Sequence, residues 1–379
     1  MRKRLVRAHS LIVPAFLLCS LGFGFAADSD PKPEPLIPES VSLPDSEDAQ
    51  YFVQADTKGN LVLLRGDTLE VSPLEGNAPG EGKRLQLTIP TANQFSDVAG
   101  NGKSWALVES NRVHYFKDGR LQNTPEVGWL VTSVALEDDT PVAGVLPMSV
   151  GQARSVGRPK SPPLVVKLGR SGWETQIEGT FPSRATGGRD MFDVLFAEKT
   201  VRLASSRKGL WVSYPYAGRV VHHTPSGGTD LVITLGKGSP TYKGDPEKAR
   251  QAVMSNLKEQ GYENSRAKVG AFTAQLLIRG MAEGESGDLY LLLDRALNGE
   301  TSLARYNSVT NVLEAAPVHV SGEAEITMAA GRDGLVWTAM GDNELWKLSW
   351  GTLEAAPWKE VEDVRLVSGG PDPGAAGSR

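Results

Sequence analysis

Cysteine is almost missing. The single one in 379 residues is Cys19, inside what reads as an export leader, so the mature chain has no thiol and can form no disulfide. Histidine is also scarce: outside the leader there are only His114, His222, His223 and His319. None has a metal-binding spacing, and adjacent His222 and His223 on a strand would face opposite sides, which speaks against zinc. There is no basic excess, with 40 Lys plus Arg against 45 Asp plus Glu, so nucleic acid is not expected as a partner. No apolar run approaches the ~20 residues needed to span a bilayer as a helix, so no transmembrane segment is expected. Gly284-Glu285-Ser286-Gly287 is the nearest approach to a nucleophile elbow and lacks the final glycine in register. Phosphate-cradling and dinucleotide fingerprints are missing as well. These absences leave compartment and architecture as what the sequence can address, with no chemistry indicated.

The leader comes first. Arg2, Lys3, Arg4 and Arg7 precede an apolar stretch over residues 11–21, and Gly24 and Ala26 suit cleavage after Ala26. Residues 1–26 thus read as a signal peptide and the protein as secreted or periplasmic. Leu18 before Cys19 is larger than a lipoprotein signal wants, so Cys19 reads as an ordinary leader residue. Cleavage removes four positive charges from a net of −5, leaving −9, a global charge that disfavours anionic partners. Residues 27–48 carry Pro31, Pro33, Pro35, Pro38 and Pro44 among acidic side chains and read as an extended, poorly packed tether. Residues 368–379, rich in Gly, Pro, Ala and Ser, read as a disordered tail.

Between these tails one unit recurs: a turn with Gly or Asp, an apolar strand with an aromatic or β-branched residue, a second turn, and a strand of mixed polarity. Gly209-Leu210-Trp211-Val212, Gly287-Asp288-Leu289-Tyr290 and Gly334-Leu335-Val336-Trp337 are clear copies. With Leu61, Ser104, Val142, Leu210, Leu289 and Val336 as equivalent positions, the spacings are 43, 38, 68, 79 and 47 residues. Three of these match one four-stranded propeller blade. The longer two need insertions, at residues 148–163, 181–189 and 237–268. The last of these predicts a helix over 246–260, with Asp245 as cap and Gly261 as terminator.

The expected fold is therefore all-β: a six-bladed propeller over residues 49–367, with one helical insertion between blades four and five. Lys208-Gly209-Leu210-Trp211-Val212-Ser213 with Gly218 to His223, and Asp333 to Trp337 with Glu344 to Leu348, give the chain a pattern that resembles the NHL-like and gluconolactonase-like six-bladed propellers. Ring closure predicts that residues 39–43 complete the last blade or that residues 364–367 complete the first.

Connectivity then places the functional face. In a meander with strands A to D, the B–C turns and D–A crossings share one side of the disc, and all the insertions fall there, so this is the expected binding surface for a ligand or partner. Candidate contacts are Tyr214 and Tyr216 in a B–C turn, basic Arg154 and Arg158, and Asp294 with Arg295. The A strands offer Gln54, Asp97, Ser133, Arg202 and Glu325 to a central channel, which a water-filled bore would explain. Resemblance to the gluconolactonase-like group implies a second reading, a Ca²⁺-dependent hydrolase or lactonase with Asp97 and Glu325 as metal ligands, although no equivalent Asn accompanies them. A third reading is an architectural subunit of a cell-envelope assembly docking through the helix at 246–260. The expected partner is a protein or glycan of the envelope, and the expected state a monomer.

Overall fold

The computed structural model describes residues 33–41, 49–53, 60–65, 68–75, 78–81, 83–86, 95–146, 162–179, 197–241, 245, 248, 251, 255, 274–294, 301–320, 326–339 and 345–369. Residues 1–33 form a separate unit of which only Pro33 is described, so the expected leader lies outside the described residues.

Short apolar strands joined by tight turns pair in chain order into successive antiparallel meanders. Ala49–Val53, Leu61–Arg65, Thr68–Ser72 and Lys83–Gln86 make the first sheet, and Asp97–Gly100, Ser104–Glu109, Arg112–Lys117 and Arg120–Gln122 the second. The third is Leu130–Glu137, Thr140–Leu146, Pro163–Leu168 and Trp173–Glu178. Arg202–Ser206, Gly209–Tyr214, Arg219–His223 and Thr229–Leu235 form the fourth; Ile278–Glu283, Leu289–Leu293, Ser302–Asn307 and Val312–Pro317 form the fifth. Ile326–Ala330, Gly334–Ala339 and Leu345–Ser349 follow as the sixth. Turn chemistry fits the strand twist: Asp138 and Asp139, with φ of +48° and +64°, make the two-residue connection between the first hairpin strands of the third sheet.

Each repeat position identified above lies in the second strand of its sheet, and the next residue along is Val62, Trp105, Ala143, Trp211, Tyr290 or Trp337, all buried. These side chains fill the gaps between sheets. Sheet one packs on sheet two through Val62, Leu69, Phe95 and Trp105, and the same holds around the series. A last cluster of Val41, Val53, Leu61, Ala329, Val336 and Leu345 joins the sixth sheet back to the first. The chain is an all-β propeller.

Closure uses both chain ends, in a way partly different from expectation. Glu39–Val41 pairs antiparallel with Leu345–Ser349, with Val41 opposite Leu345, and so supplies the missing outer strand of the sixth sheet. Val364–Ser368 does not complete the first sheet. It lies on Thr229–Leu235 as a fifth strand of the fourth sheet. The outer place on the first sheet is already taken by Lys83–Gln86. The C-terminal segment instead turns back through the one-turn helix Trp350–Glu354, capped by the Ser349 hydroxyl. It then covers the outer edges of sheet five, with Lys359–Glu360, and of sheet four, where exposed N–H and C=O groups would otherwise invite association.

Part of the proline-rich segment, within residues 34–41, packs on the sheets. Leu36 forms a parallel bridge with Val318, exchanges backbone hydrogen bonds with Pro317 and His319, and is buried in the core between sheets five and six. Proline spacing signals extension, and an extended segment is what a sheet edge accepts. The helix expected at 246–260 falls almost wholly outside the described residues, of which Lys248, Gln251 and Ser255 are helical and exposed. Among the described residues no helix is long and apolar enough to cross a membrane.

Candidate functional site

The innermost strand of every sheet borders one axial cavity, lined among others by Val53, Asp97, Ser133, Arg202, Arg279 and Thr327. Its water-accessible volume is about 80 Å³, room for roughly six waters or one small oxyanion with a few of them. Asp97 and Arg202 open their strands, and Arg279 and Thr327 stand second in theirs. The charged groups therefore gather at the end of the channel where the inner strands begin.

Two β-bulges shape this end. Pairing between Leu130–Glu137 and Thr140–Leu146 skips Thr132, and pairing between Ile278–Glu283 and Leu289–Leu293 skips Arg279. A bulge re-aims side chains, and Arg279, only 3% exposed, lines the channel. Gly280 next to it is held tightly, since a Cβ there would lie 2.6 Å from Ile326 Cγ1. The carbonyl of bulged Thr132 accepts a hydrogen bond from Arg202 Nη1.

Neighbouring inner strands are stitched by polar side chains. Asp97 Oδ2 accepts from the Val134 N–H at 2.8 Å and Oδ1 from the Val98 N–H at 2.9 Å. Ser133 Oγ accepts from the Leu203 N–H at 3.1 Å, and Ser205 Oγ from the Leu136 N–H at 3.2 Å. Burial pushes the Asp97 carboxyl up to about 6, against the pull of Arg202 and of the two N–H donors. Burial likewise lowers the Arg202 guanidinium and raises the Tyr216 phenol, while the Asp97 carboxylate pulls Arg202 back up.

A stability profile follows from the raised Asp97 value. Folded Asp97 keeps a proton that the unfolded chain releases near its ordinary 3.8, so its contribution is full below about pH 4, falls as pH rises to about 6, and is flat above. At about 1.4 kcal/mol per pKa unit, the fall amounts to up to about 3 kcal/mol. Urea denaturation of wild type and Asp97→Asn at pH 4 and 7 should show that decline in the wild type minus variant difference; a constant difference would refute it.

The sequence-derived candidates fare unequally. Asp97, Ser133 and Arg202 line the channel together, while Gln54, Glu325, Arg154, Arg158 and Arg295 lie outside the described residues. Tyr214 and Tyr216 do not present their rings to solvent: both are buried, at 6% and 7% exposure. Arg219 stacks 4.2 Å above the Tyr214 ring, and the Pro215 carbonyl between them accepts from the N–H groups of Leu277 and Ile278, so the next crossing docks over the turn. Asp294 is half-buried and its N–H donates to the Leu277 carbonyl, ending the sheet-five ladder. Each Asp97 oxygen accepts one N–H bond, and Arg202 is the charged group that pulls its carboxyl down. Among the described residues no group of three His, Cys, Asp or Glu could hold a metal ion. Sequence reasoning missed Arg279, Ser213 and Thr327 in the channel wall; the charged residue directly after Ile278, at the start of an inner strand, was the available signal.

No family model matches the chain, and no curated protein does. Solved structures do resemble it. Virginiamycin B lyase from Staphylococcus aureus is 14% identical, with 82% of this chain and 98% of that one covered, at a TM-score of 0.43. A streptogramin B lyase is 10% identical over 82% and 96%, also at 0.43. The WD40 propeller domain of Doa1 is 10% identical over 82% and 96%, at 0.37. At these levels function rests on this chain's own residues.

Proposed function

We propose that this chain is an exported, monomeric, six-bladed propeller that binds an anionic group of an envelope glycan or protein at the insertion-bearing end of its channel, without catalysis there. The blade count is supported by six successive sheets of four or five strands and by core clusters that link each to the next and the last to the first. The observation that carries the binding reading is the pair of arginines, Arg202 and Arg279, brought by separate strands to the same small cavity with one acid, Asp97. Arg279 is buried and Asp97 and Arg202 are half-buried, and holding charge away from water is costly without pairing or a ligand. The described lining has a local positive excess in a protein whose overall charge is negative, which is the reverse of what the net charge alone suggested. Serine and threonine hydroxyls around the arginines add donors for an oxyanion.

Export is supported by the leader-like residues 1–26, and the choice of face by the position of the charged groups at the strand starts. The test is calorimetric titration of residues 28–379 with sulfate or succinate at matched ionic strength. Saturable binding at one site, weakened at least about tenfold in Arg279→Met with the fold retained, is expected. Absence of binding to any small oxyanion would overturn the reading.

A further inference from the structure

On the opposite rim, where the A–B turns lie, sheet four carries a second constellation. The Ser206 hydroxyl lies 3.0 Å from His222 Nε2, and His222 Nδ1 lies 2.6 Å from Asp230 Oδ1. The three residues come from the first, third and fourth strands of the sheet. Gly209 on the intervening strand pairs with Ser206, and Trp211 pairs with His222. Without a side chain at Gly209, the serine reaches diagonally to the imidazole on the same face. The Trp211 ring lies 4.4 Å from the His222 ring and fixes its plane, while its Nε1 donates to Glu283 of sheet five at 2.5 Å. The trio borders an open cleft of about 330 Å³ between sheets four and five, shared with Arg207, Lys208, Glu283 and Tyr306. The Lys208 N–H donates to Ser206 Oγ at 3.2 Å, and exposed Arg207 and Lys208 bring positive charge to the same turn.

We propose that Ser206, His222 and Asp230 form a hydrolytic site for small carboxylic esters, independent of the channel. Nucleophile, base and orienting acid stand in hydrogen-bond series, the arrangement that activates a serine. Ser206 Oγ forms a bond to the ester carbonyl carbon as its proton passes to His222 Nε2. The carbonyl oxygen becomes an oxyanion in the cleft that Arg207 and Lys208 line. Collapse breaks the C–O bond to the alcohol, which leaves with the His222 proton. Water then attacks the acyl carbon, gives a proton to His222, and releases the acid as Ser206 regains its proton. Asp230 acts through His222, as a positioning residue.

The test treats residues 28–379 with a fluorophosphonate and maps the adduct by mass spectrometry, with p-nitrophenyl acetate as substrate. Wild type should be labelled at Ser206 and show an acetyl burst; Ser206→Ala should lose both, and His222→Gln should slow labelling at least about a hundredfold. Asp230→Asn should slow it less, with partial rescue by Asp230→Glu. An unlabelled wild type, or equal labelling of wild type and His222→Gln, would overturn the proposal. A lower thermal midpoint for Ser206→Ala beside an unlabelled wild type would make the trio a structural hydrogen-bond staple, which also overturns it.

Discussion

Replacing Gly334 by alanine should cost about 3 kcal/mol or more of folding stability, and Gly209→Ala should cost as much. Gly334 has φ +155° and a Cβ built there would lie 2.0 Å from the Leu348 carbonyl oxygen; at Gly209, with φ +147°, the corresponding contact is 1.9 Å from His223 O. Both are the glycine that opens the second strand of a sheet, and both press against backbone of the third strand. Backbone cannot step aside as a flexible side chain would, so the variant suffers the strain of an unfavourable φ together with displacement of a ladder. Gly102→Ala, also at positive φ but with nothing within 4 Å of its Cβ, should cost only about 1 kcal/mol. Denaturant midpoints of the three variants check this, and a loss under about 1 kcal/mol at Gly334 would contradict the packing described.

Val41→Asp should be comparably damaging, at about 3 to 5 kcal/mol. Val41 is 2% exposed and sits among Val53, Leu61, Ala329, Val336 and Leu345, where sheets one and six meet. A carboxylate there has no partner among these side chains, and the strand that closes the ring would detach to regain water. The loss should bring concentration-dependent association, because the outer edge of Leu345–Ser349 is uncovered. Ser40→Ala, exposed on the same strand, should change stability by under about 0.5 kcal/mol. Equal effects at positions 40 and 41 would mean that this strand does not seal the ring.

The sheets were legible because each depends on local pattern: a glycine-bearing turn, an apolar strand, and a large residue such as Trp105, Trp211 or Trp337 packed between neighbours. The closing strand was legible because an open outer edge on the last sheet demanded one. The C-terminal strand was misplaced because several outer edges were available, and choosing sheet four depends on the path set by Trp350–Glu354 and Lys359–Glu360. Asp97, Ser133 and Arg202 were found as polar residues of inner strands, whereas Arg279, at a bulge of the kind that also precedes Ser133, was not singled out. Tyr214 and Tyr216 looked exposed because turns usually are, yet the crossing that carries Leu277 and Ile278 docks over them. The Ser206–His222–Asp230 series spans three strands, so it exists only in the register.

The central claim is that the two channel arginines receive an anion beside Asp97, and pH tests it most directly. Below about pH 6 the Asp97 carboxyl is neutral, which removes one negative charge from the channel that Arg202 and Arg279 line, so sulfate, a dianion throughout, should bind about tenfold more tightly at pH 5 than at pH 7.5. In Asp97→Asn the affinity should stay high across that range. Sulfate affinity measured by calorimetry at the two pH values, in wild type and Asp97→Asn, would bear the account out if only the wild type weakens. Equal affinities in wild type at both pH values, or no binding, would contradict it.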